Sequence, residues 1–448
     1  MSPGAMIGVM GIVVLLLVLF LLGTPVGFAM ALVGFAGYCY VVSVPAALSM
    51  VGNELWAAFS SYGMTVIPMF VFMGQIAFYT GVSRKLYDAA YAWVGHIRGG
   101  LAAASVLACA AFATICGSNT ATAATMATVA LPEMKKHGYH PLLSVGSVAA
   151  GSTLGVVIPP SVVLIVIGLY TNQSIAKLFY GGFSAGIVLS VMMVATVWVL
   201  CKIHPEWGPV GAKTTWRQRF AALPGAFEMV LLFLLVIVGL YLGWFTPSEA
   251  GAIGSFFAIV IALFQGKMNW KVLSSAIKDT MNATSMVLMI VAGAFIFGKF
   301  LAVTRMPFEL ADWVAALPVA PVVILLVVFV IYIIGGMIMD ALALLIITIP
   351  IFFPLAEKLG YDPLWFGVVL TVITTMGAIT PPVAATMYVV AGVAKDVPMK
   401  TVFKAMFLFV PSYLVSVGLY MVFPQIITAF TNPDATIKWI KGVLGLAG

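Results

Sequence analysis

Two short stretches of this chain set residues that cannot continue a helix inside otherwise apolar surroundings. They are Gly117-Ser118-Asn119-Thr120 and, soon after, Gly155-Val156-Val157-Ile158-Pro159-Pro160. In a bilayer every backbone N–H and C=O must be satisfied, so non-helical backbone at membrane depth is tolerated only where protein buries it or a polar cavity receives it. Two breaks close together therefore read as a binding site. The chain then repeats them. Pro354 follows Pro132 by 354 − 132 = 222 residues, and at that offset ten of the 29 positions from 132 to 160 are identical without a gap. The matches include Gly138/Gly360, Tyr139/Tyr361, Pro141/Pro363, Gly155/Gly377, Pro159/Pro381 and Pro160/Pro382. Apolar composition would multiply Leu and Val matches, but not a register of Gly-Tyr-x-Pro followed by Gly-x-x-x-Pro-Pro. A duplicated fold with paired, interrupted hydrophobic segments points to the binding site of a secondary transporter.

Composition settles the surroundings of those breaks. Charged residues make up 8% of the 448 and AVILMFWYC 63%, with a mean hydropathy of +1.16, outside the range of soluble domains. Runs such as 12–22 and 229–242 are apolar on every face, which excludes the alternating pattern of a β-barrel. The fold class is an all-α polytopic membrane protein with two inverted structural repeats, each carrying a re-entrant helical hairpin and a discontinuous helix. The net charge of +7 comes from Lys and Arg scattered between apolar spans, so it reads as a topology signal and not as a nucleic-acid surface. Cys39, Cys109, Cys116 and Cys201 have no metal or redox spacing, and we expect neither a disulfide nor a metal cluster from them. The N-terminus lacks a basic region before its first apolar run and is expected to remain as the first membrane helix.

Taken in order, residues 1–98 read as N-terminal membrane helices with an interfacial arm, a scaffold. Residues 99–201 hold the first hairpin, the first broken helix and a following span, one half of a transport domain. A polar loop at 202–224 divides the repeats. Residues 225–320 repeat the scaffold, with a polar piece at 269–279 separate from a span at 284–302, in which Lys299 is expected to snorkel. Residues 321–395 hold the second hairpin and broken helix, and 396–448 a last span within 403–427 and an amphipathic tail at 432–448. Thr246-Pro247-Ser248-Glu249 has the form of a helix start, so Glu249 reads as a capping residue and not as a proton carrier. The exit of the first hairpin carries Lys135 and Lys136 and that of the second Glu357, Lys358 and Asp362, which places the first exit in the cytoplasm and the second in the periplasm.

A broken helix brings two helix ends to mid-membrane: an N-terminus suits an anion, and the free carbonyls of a C-terminus suit a bare cation. Each hairpin tip facing its break is therefore a candidate Na⁺ cage, with proline freeing a carbonyl and glycine permitting the turn. Asp340 is the one acidic residue deep in an apolar segment and is a functional candidate by default, whether or not it also caps a helix. Ser118 is its counterpart at the 222 offset. No Ser/His, paired-Asp or His-Glu-x-x-His arrangement lies at membrane depth, which speaks against an enzyme.

These residues resemble a known family, the large membrane subunit of tripartite ATP-independent periplasmic (TRAP) transporters. The likeness covers nearly the whole chain. It is carried by Gly117-Ser118, Ala121-Thr122, Pro132-Glu133-Met134-Lys135-Lys136 with Gly138-Tyr139, Thr153-Leu154-Gly155, Ile158-Pro159-Pro160-Ser161, Lys177-Leu178-Phe179 with Gly182, and Thr246-Pro247-Ser248-Glu249-Ala250. The resemblance implies an elevator-type carrier in the bacterial inner membrane, importing a small organic acid anion, carboxylate or sulfonate, with two or more Na⁺ and no organic cofactor. The first sodium site implied is Ser118, Gly155, Ile158 and Pro160. For the second we expect Gly377 and Thr380, together with Asp340 and Pro382 from the repeat. Ser118, Asn119, Thr120, Ser161 and Asp340 are expected at the substrate; position 119 is Asn where the family pattern suggests a small residue. The implied partners are a small four-helix membrane subunit, a soluble periplasmic binding protein and membrane lipid. The alternative reading is a divalent-anion/Na⁺ symporter that works without a binding protein.

Overall fold

The computed structural model describes residues 2–211, 214–381 and 385–429. Pro382 and the tail expected at 432–448 lie outside the described residues. The described chain is helical throughout. It opens with α1 (Pro3–Leu22), α2 (Val26–Val41), α3 (Val44–Ser60), α4 (Val66–Tyr79) and α5 (Val82–Val94). The first hairpin is α6 (Gly100–Cys116) and α7 (Asn119–Lys136), and the first broken helix is α8 (Pro141–Ser152), α9 (Leu154–Val157) and α10 (Val162–Thr171), followed by α11 (Ile175–Ile203). The second half contains α12 (Trp216–Tyr241), α13 (Pro247–Phe264), α14 (Trp270–Thr304) and α15 (Met306–Ala315). Its hairpin is α16 (Pro321–Ile338) and α17 (Ala341–Lys358), its broken helix α18 (Pro363–Ile379) and α19 (Ala385–Val393), and it ends in α20 (Met399–Phe407), α21 (Val410–Val422) and α22 (Gln425–Thr428). Among the described residues nine helical segments are long and apolar enough to cross a membrane.

The 222 offset extends beyond the identical residues. Moved by 222, α7 at 119–136 falls on 341–358, the bounds of α17, and α6 at 100–116 falls on 322–338 against α16 at 321–338. The outer helices follow: α2 at 26–41 falls on 248–263 against α13, and α5 at 82–94 falls on 304–316 against α15. The matched motifs have a mechanical reason. Gly138 (φ 73°) and Gly360 (φ 83°) adopt the left-handed conformation just past α7 and α17. Tyr139 N–H then donates back to Met134 and Tyr361 N–H to Ala356, both at 3.0 Å, closing each helix with the same left-handed cap. The next helix starts at once: His140 and Asp362 cap α8 and α18, and Pro141 and Pro363 occupy the first turn, where their missing N–H costs nothing.

Several boundaries differ from the sequence reading. The polar stretch at 202–224 is not all loop, because a Thr215–Gln218 capping box starts α12 at Trp216. The piece at 269–279 and the span after it are one 35-residue helix, α14, capped by Asn269 and ended by Arg305 at φ 57°. Lys299 does not snorkel freely: its Nζ lies 3.2 Å from Glu54 Oε1 of α3. The last span is interrupted between α20 and α21. Glu249 caps α13, as its sequence context implied, with Oε2 accepting from Thr246 N at 2.8 Å.

The packing sorts the helices around the hairpins. α6 and α7 lie on α8, and α16 lies on α18, so each hairpin is seated on its own broken helix. α14 runs against α2, α3 and α4, and α13 against α4, forming a body from which α4 reaches α6 and α14 reaches α17. The outer faces of α1, α2, α12 and α16 leave Leu21, Leu22, Leu32, Phe227 and Ile334 exposed, as lipid-facing surfaces do.

Candidate functional site

The first tip is two residues long. Gly117 takes φ 61°, which ends α6, and Ser118 is the N-cap of α7, its Oγ accepting from Ala121 N at 3.4 Å. Ser118 Oγ also lies 3.2 Å from Thr120 Oγ1, and Asn119 Oδ1 accepts from Thr120 N at 2.8 Å. The second tip matches it in form: Asp340 is the N-cap of α17, and its Oδ2 accepts from Leu342 N at 3.0 Å. Asp340 thus has the capping role and also lines a cavity.

The two tips meet at one cavity. It is lined by Ser118, Asn119, Thr120 and Ala121 from the start of α7, by Val162 and Val163 from the start of α10, and by Asp340, Ala341 and Leu342 from the start of α17. Three helix N-termini converge there and bring partial positive charge, although side-chain caps already take Thr120 N, Ala121 N and Leu342 N. Among the described residues no Lys or Arg lines the cavity. The far wall comes from α4 and α14, through Val71, Gln75, Ala283, Met286 and Val287. That wall was absent from the sequence reading. Gln75 could have been found, since it is the lone amide in the apolar run of α4; the α14 residues carry no signal.

The first break faces the first tip closely. A β-carbon on Gly155 would lie 2.6 Å from the Ser118 carbonyl oxygen, and one on Gly117 would lie 2.7 Å from the Pro160 carbonyl oxygen. Pro159 has no N–H to donate to the Gly155 carbonyl four residues back, which leaves that oxygen for another partner. Ile158 and Pro160 continue the break beside it. The Ser118 carbonyl accepts from Thr122 Oγ1 at 2.7 Å. Ser161 lies apart from the cavity lining: it is fully buried, caps α10 by accepting from Leu164 N at 3.4 Å, and donates to the Val156 carbonyl.

The second break begins later than expected. α18 runs on to Ile379, so Gly377 is helical and the break begins at Thr380, whose N–H donates to the Gly377 carbonyl at 2.8 Å. Neither Gly155 nor Gly377 has a positive φ. Glycine serves here to let backbones touch: a β-carbon on Gly377 would lie 2.7 Å from Gly336 Cα and from the Ile333 carbonyl oxygen of α16. Gly377 and Thr380 do not line the cavity that holds Asp340, so the structure brings Asp340 to the first tip's residues.

A multi-pass helical membrane protein with a cavity between two hairpin tips is the class these elements define. A model of the family described as "Tripartite ATP-independent periplasmic transporter, DctM component" matches residues 13–426. The C4-dicarboxylate TRAP transporter large permease protein DctM of Pseudomonas aeruginosa is 33% identical over 385 residues, 84% of this chain and 90% of that protein. The sialic acid TRAP transporter large permease protein SiaM of Vibrio cholerae is 30% identical, covering 90% and 93%. Among solved structures, the YdaH transporter of Alcanivorax borkumensis superposes with a TM-score of 0.60 at 17% identity, over 85% of this chain and 90% of that one, a likeness of fold. The chain belongs to the TRAP transporter family as a large permease subunit, and it is a multi-pass inner-membrane protein.

Proposed function

We propose that this chain is the carrier subunit of a Na⁺-coupled importer for a small organic acid anion, carboxylate or sulfonate. It works with a small membrane subunit and a periplasmic binding protein. The observation that carries the reading is the convergence of three helix N-termini on one cavity that, among the described residues, has no basic side chain. Such a site accepts an anion through backbone N–H groups and holds it loosely enough to release it. The printed names of two relatives, for C4-dicarboxylates and for sialic acid, support an organic acid as the cargo class. Na⁺ is the second cargo. Ser118, Gly155, Ile158 and Pro160 offer oxygens to one ion between first tip and first break, and Gly377 and Thr380 offer oxygens to another, with the Asp340 carboxylate balancing positive charge from the cavity side. The two halves form repeats, a reading supported by the 222 offset of their helix bounds, and the unequal charges of their exits support an inverted pair. The hairpins and broken helices move as one body against α1–α5 and α12–α15, an elevator motion that carries the cavity across the membrane.

The test is uptake into proteoliposomes holding the chain, its small subunit and its binding protein, the acid being one that raises the binding protein's melting temperature. Uptake should follow an inward Na⁺ gradient and should need the binding protein. Equal uptake with Na⁺ replaced by K⁺ would remove the coupling, and equal uptake by the chain alone would favour the stand-alone symporter.

A further inference from the structure

The cavity has two walls of different origin. The two tips and the first broken helix make one; α4 and α14 make the other, where Val71, Ala283, Met286 and Val287 are apolar and Gln75 is, among the described residues, the single polar side chain. Gln75 stands in an otherwise apolar helix, VIPMFVFMGQIAFY, and is half-buried. Among the described residues no protein group hydrogen-bonds with its side chain. An unpartnered amide in a spanning helix is costly unless water or a ligand satisfies it. Gly74 puts it there: a β-carbon on Gly74 would lie 2.8 Å from the Ile115 carbonyl oxygen and 3.1 Å from Cys116 Cα, so α4 abuts α6 immediately before the first tip.

The repeat sharpens the point. At the 222 offset Gln75 corresponds to Phe297, which is 1% exposed and packs with its ring centroid 5.9 Å from that of Phe300. The counterpart fills an apolar interior; the amide faces the cavity. A shared structural duty of the duplicated fold therefore does not explain Gln75.

We infer that Gln75 is a specificity-determining substrate contact supplied by the wall opposite in origin to the hairpins. This rests on the reading of the cavity as an organic acid site. Backbone N–H groups at helix N-termini receive any carboxylate or sulfonate and do not distinguish what else the acid carries. A glutamine amide does, because it offers two N–H donors and a carbonyl acceptor to a hydroxyl, amide or second carboxylate, and nothing to hydrocarbon. A site that hydrogen-bonds a substrate hydroxyl discriminates strongly against the analogue lacking it.

Two measurements test this. In Na⁺-driven proteoliposomes, competition by matched acids (malate against succinate, glycolate against acetate, isethionate against ethanesulfonate) is compared for the wild type, Gln75→Leu and Gln75→Asn. Gln75→Leu should shift the ratio of inhibitory concentrations within at least one pair by roughly tenfold or more. Gln75→Asn, which keeps the amide, should restore part of that ratio, and half-saturating Na⁺, read with the acid at saturation, should stay unchanged in both. Equal loss across every pair would mean a packing role and would overturn the inference, as would no change. Second, Gln75→Cys in a chain with its other cysteines replaced should react with 2-sulfonatoethyl methanethiosulfonate in detergent, whatever the cargo. An unreactive thiol places residue 75 outside the cavity and overturns the assignment. A reactive thiol in a chain without Na⁺-driven uptake would instead refute the transport reading and leave the amide in an accessible polar cavity.

Discussion

Gly155→Ala is the smallest perturbation that separates a working tip–break contact from a simple kink. Gly155 is helical and its φ is ordinary, so alanine is not strained by the backbone. The added carbon would sit 2.6 Å from the Ser118 carbonyl oxygen and 2.8 Å from Thr122 Oγ1, whereas ordinary contact begins at 3.4 Å. The tip must therefore move off the break by 3.4 − 2.6 = 0.8 Å along that contact. Neither neighbour can swing aside: one is backbone, and Thr122 Oγ1 is already bonded to that same oxygen at 2.7 Å. Binding constellations need their atoms held within about 0.5 Å, and misplacements near 1 Å cost up to about a hundredfold. We expect half-saturating Na⁺ in proteoliposome uptake to rise roughly tenfold or more. The helix itself should not suffer, since alanine is favoured over glycine by about 0.5–1 kcal/mol in a helix interior. Gly392→Ala in α19 is the control, because nothing lies within 4 Å of its β-carbon position. A well-folded Gly155→Ala carrier with wild-type Na⁺ dependence would refute the reasoning.

Gly377→Ala should act likewise through α16, where the contacts at 2.7 Å are all to backbone, and valine at either glycine should abolish uptake. Asp340→Asn keeps a competent helix cap and removes the charge, so half-saturating Na⁺ should rise; Asp340→Ala should in addition lower stability by about 1 kcal/mol, read as a melting shift. An Asp340→Asn carrier with unaltered Na⁺ dependence but a changed substrate profile would make Asp340 a substrate contact. Single cysteines at His137 and Leu359, just past α7 and α17, should label from opposite membrane faces with an impermeant reagent. Labelling from one face would remove the inverted-repeat reading.

The parts of this molecule that were legible in the sequence are those where a local rule leaves one choice. Gly-Tyr-x-Pro encodes a left-handed helix stop followed at once by a proline start, and it does so at 138–141 and 360–363 with the same hydrogen bonds. Gly-x-x-x-Pro-Pro marks both breaks, yet its glycines serve close approach and not a turn. That distinction depends on Gly336 and Ser118, residues far away along the chain. The continuity of α14 was hidden because polar residues in its first turns resemble an interfacial helix, and only packing against α2, α3 and α4 decides that they belong to one rod. The cavity's far wall had no local signature except Gln75. Hydrophobic residues report burial, not which cavity they border.

The unequal tips suggest how cation and anion are tied together. Ser118 and Asp340 occupy matched positions, cap matched helices and line one cavity, so duplication placed a neutral hydroxyl and a carboxylate around the same space. Two like charges about 4 Å apart at an effective dielectric near 20 repel by about 4 kcal/mol, a factor near a thousand in affinity. A carboxylate at Asp340 thus opposes an anionic cargo until a cation offsets it. Two carboxylates would oppose it more strongly, and two hydroxyls would leave it indifferent to the cation. On the Na⁺ coupling we propose, one charge per cavity would make anion binding conditional on Na⁺, and by linkage the bound anion would strengthen Na⁺ binding by the same factor. Asp340→Asn should therefore do more than weaken Na⁺ binding. The affinity for the acid, measured by competition at low and at high Na⁺, should differ much less between the two conditions than in the wild type. If the mutant keeps the full Na⁺ dependence of acid affinity, the coupling resides in the tip–break contacts at Gly155 and Gly377 and not in the charge at the second tip.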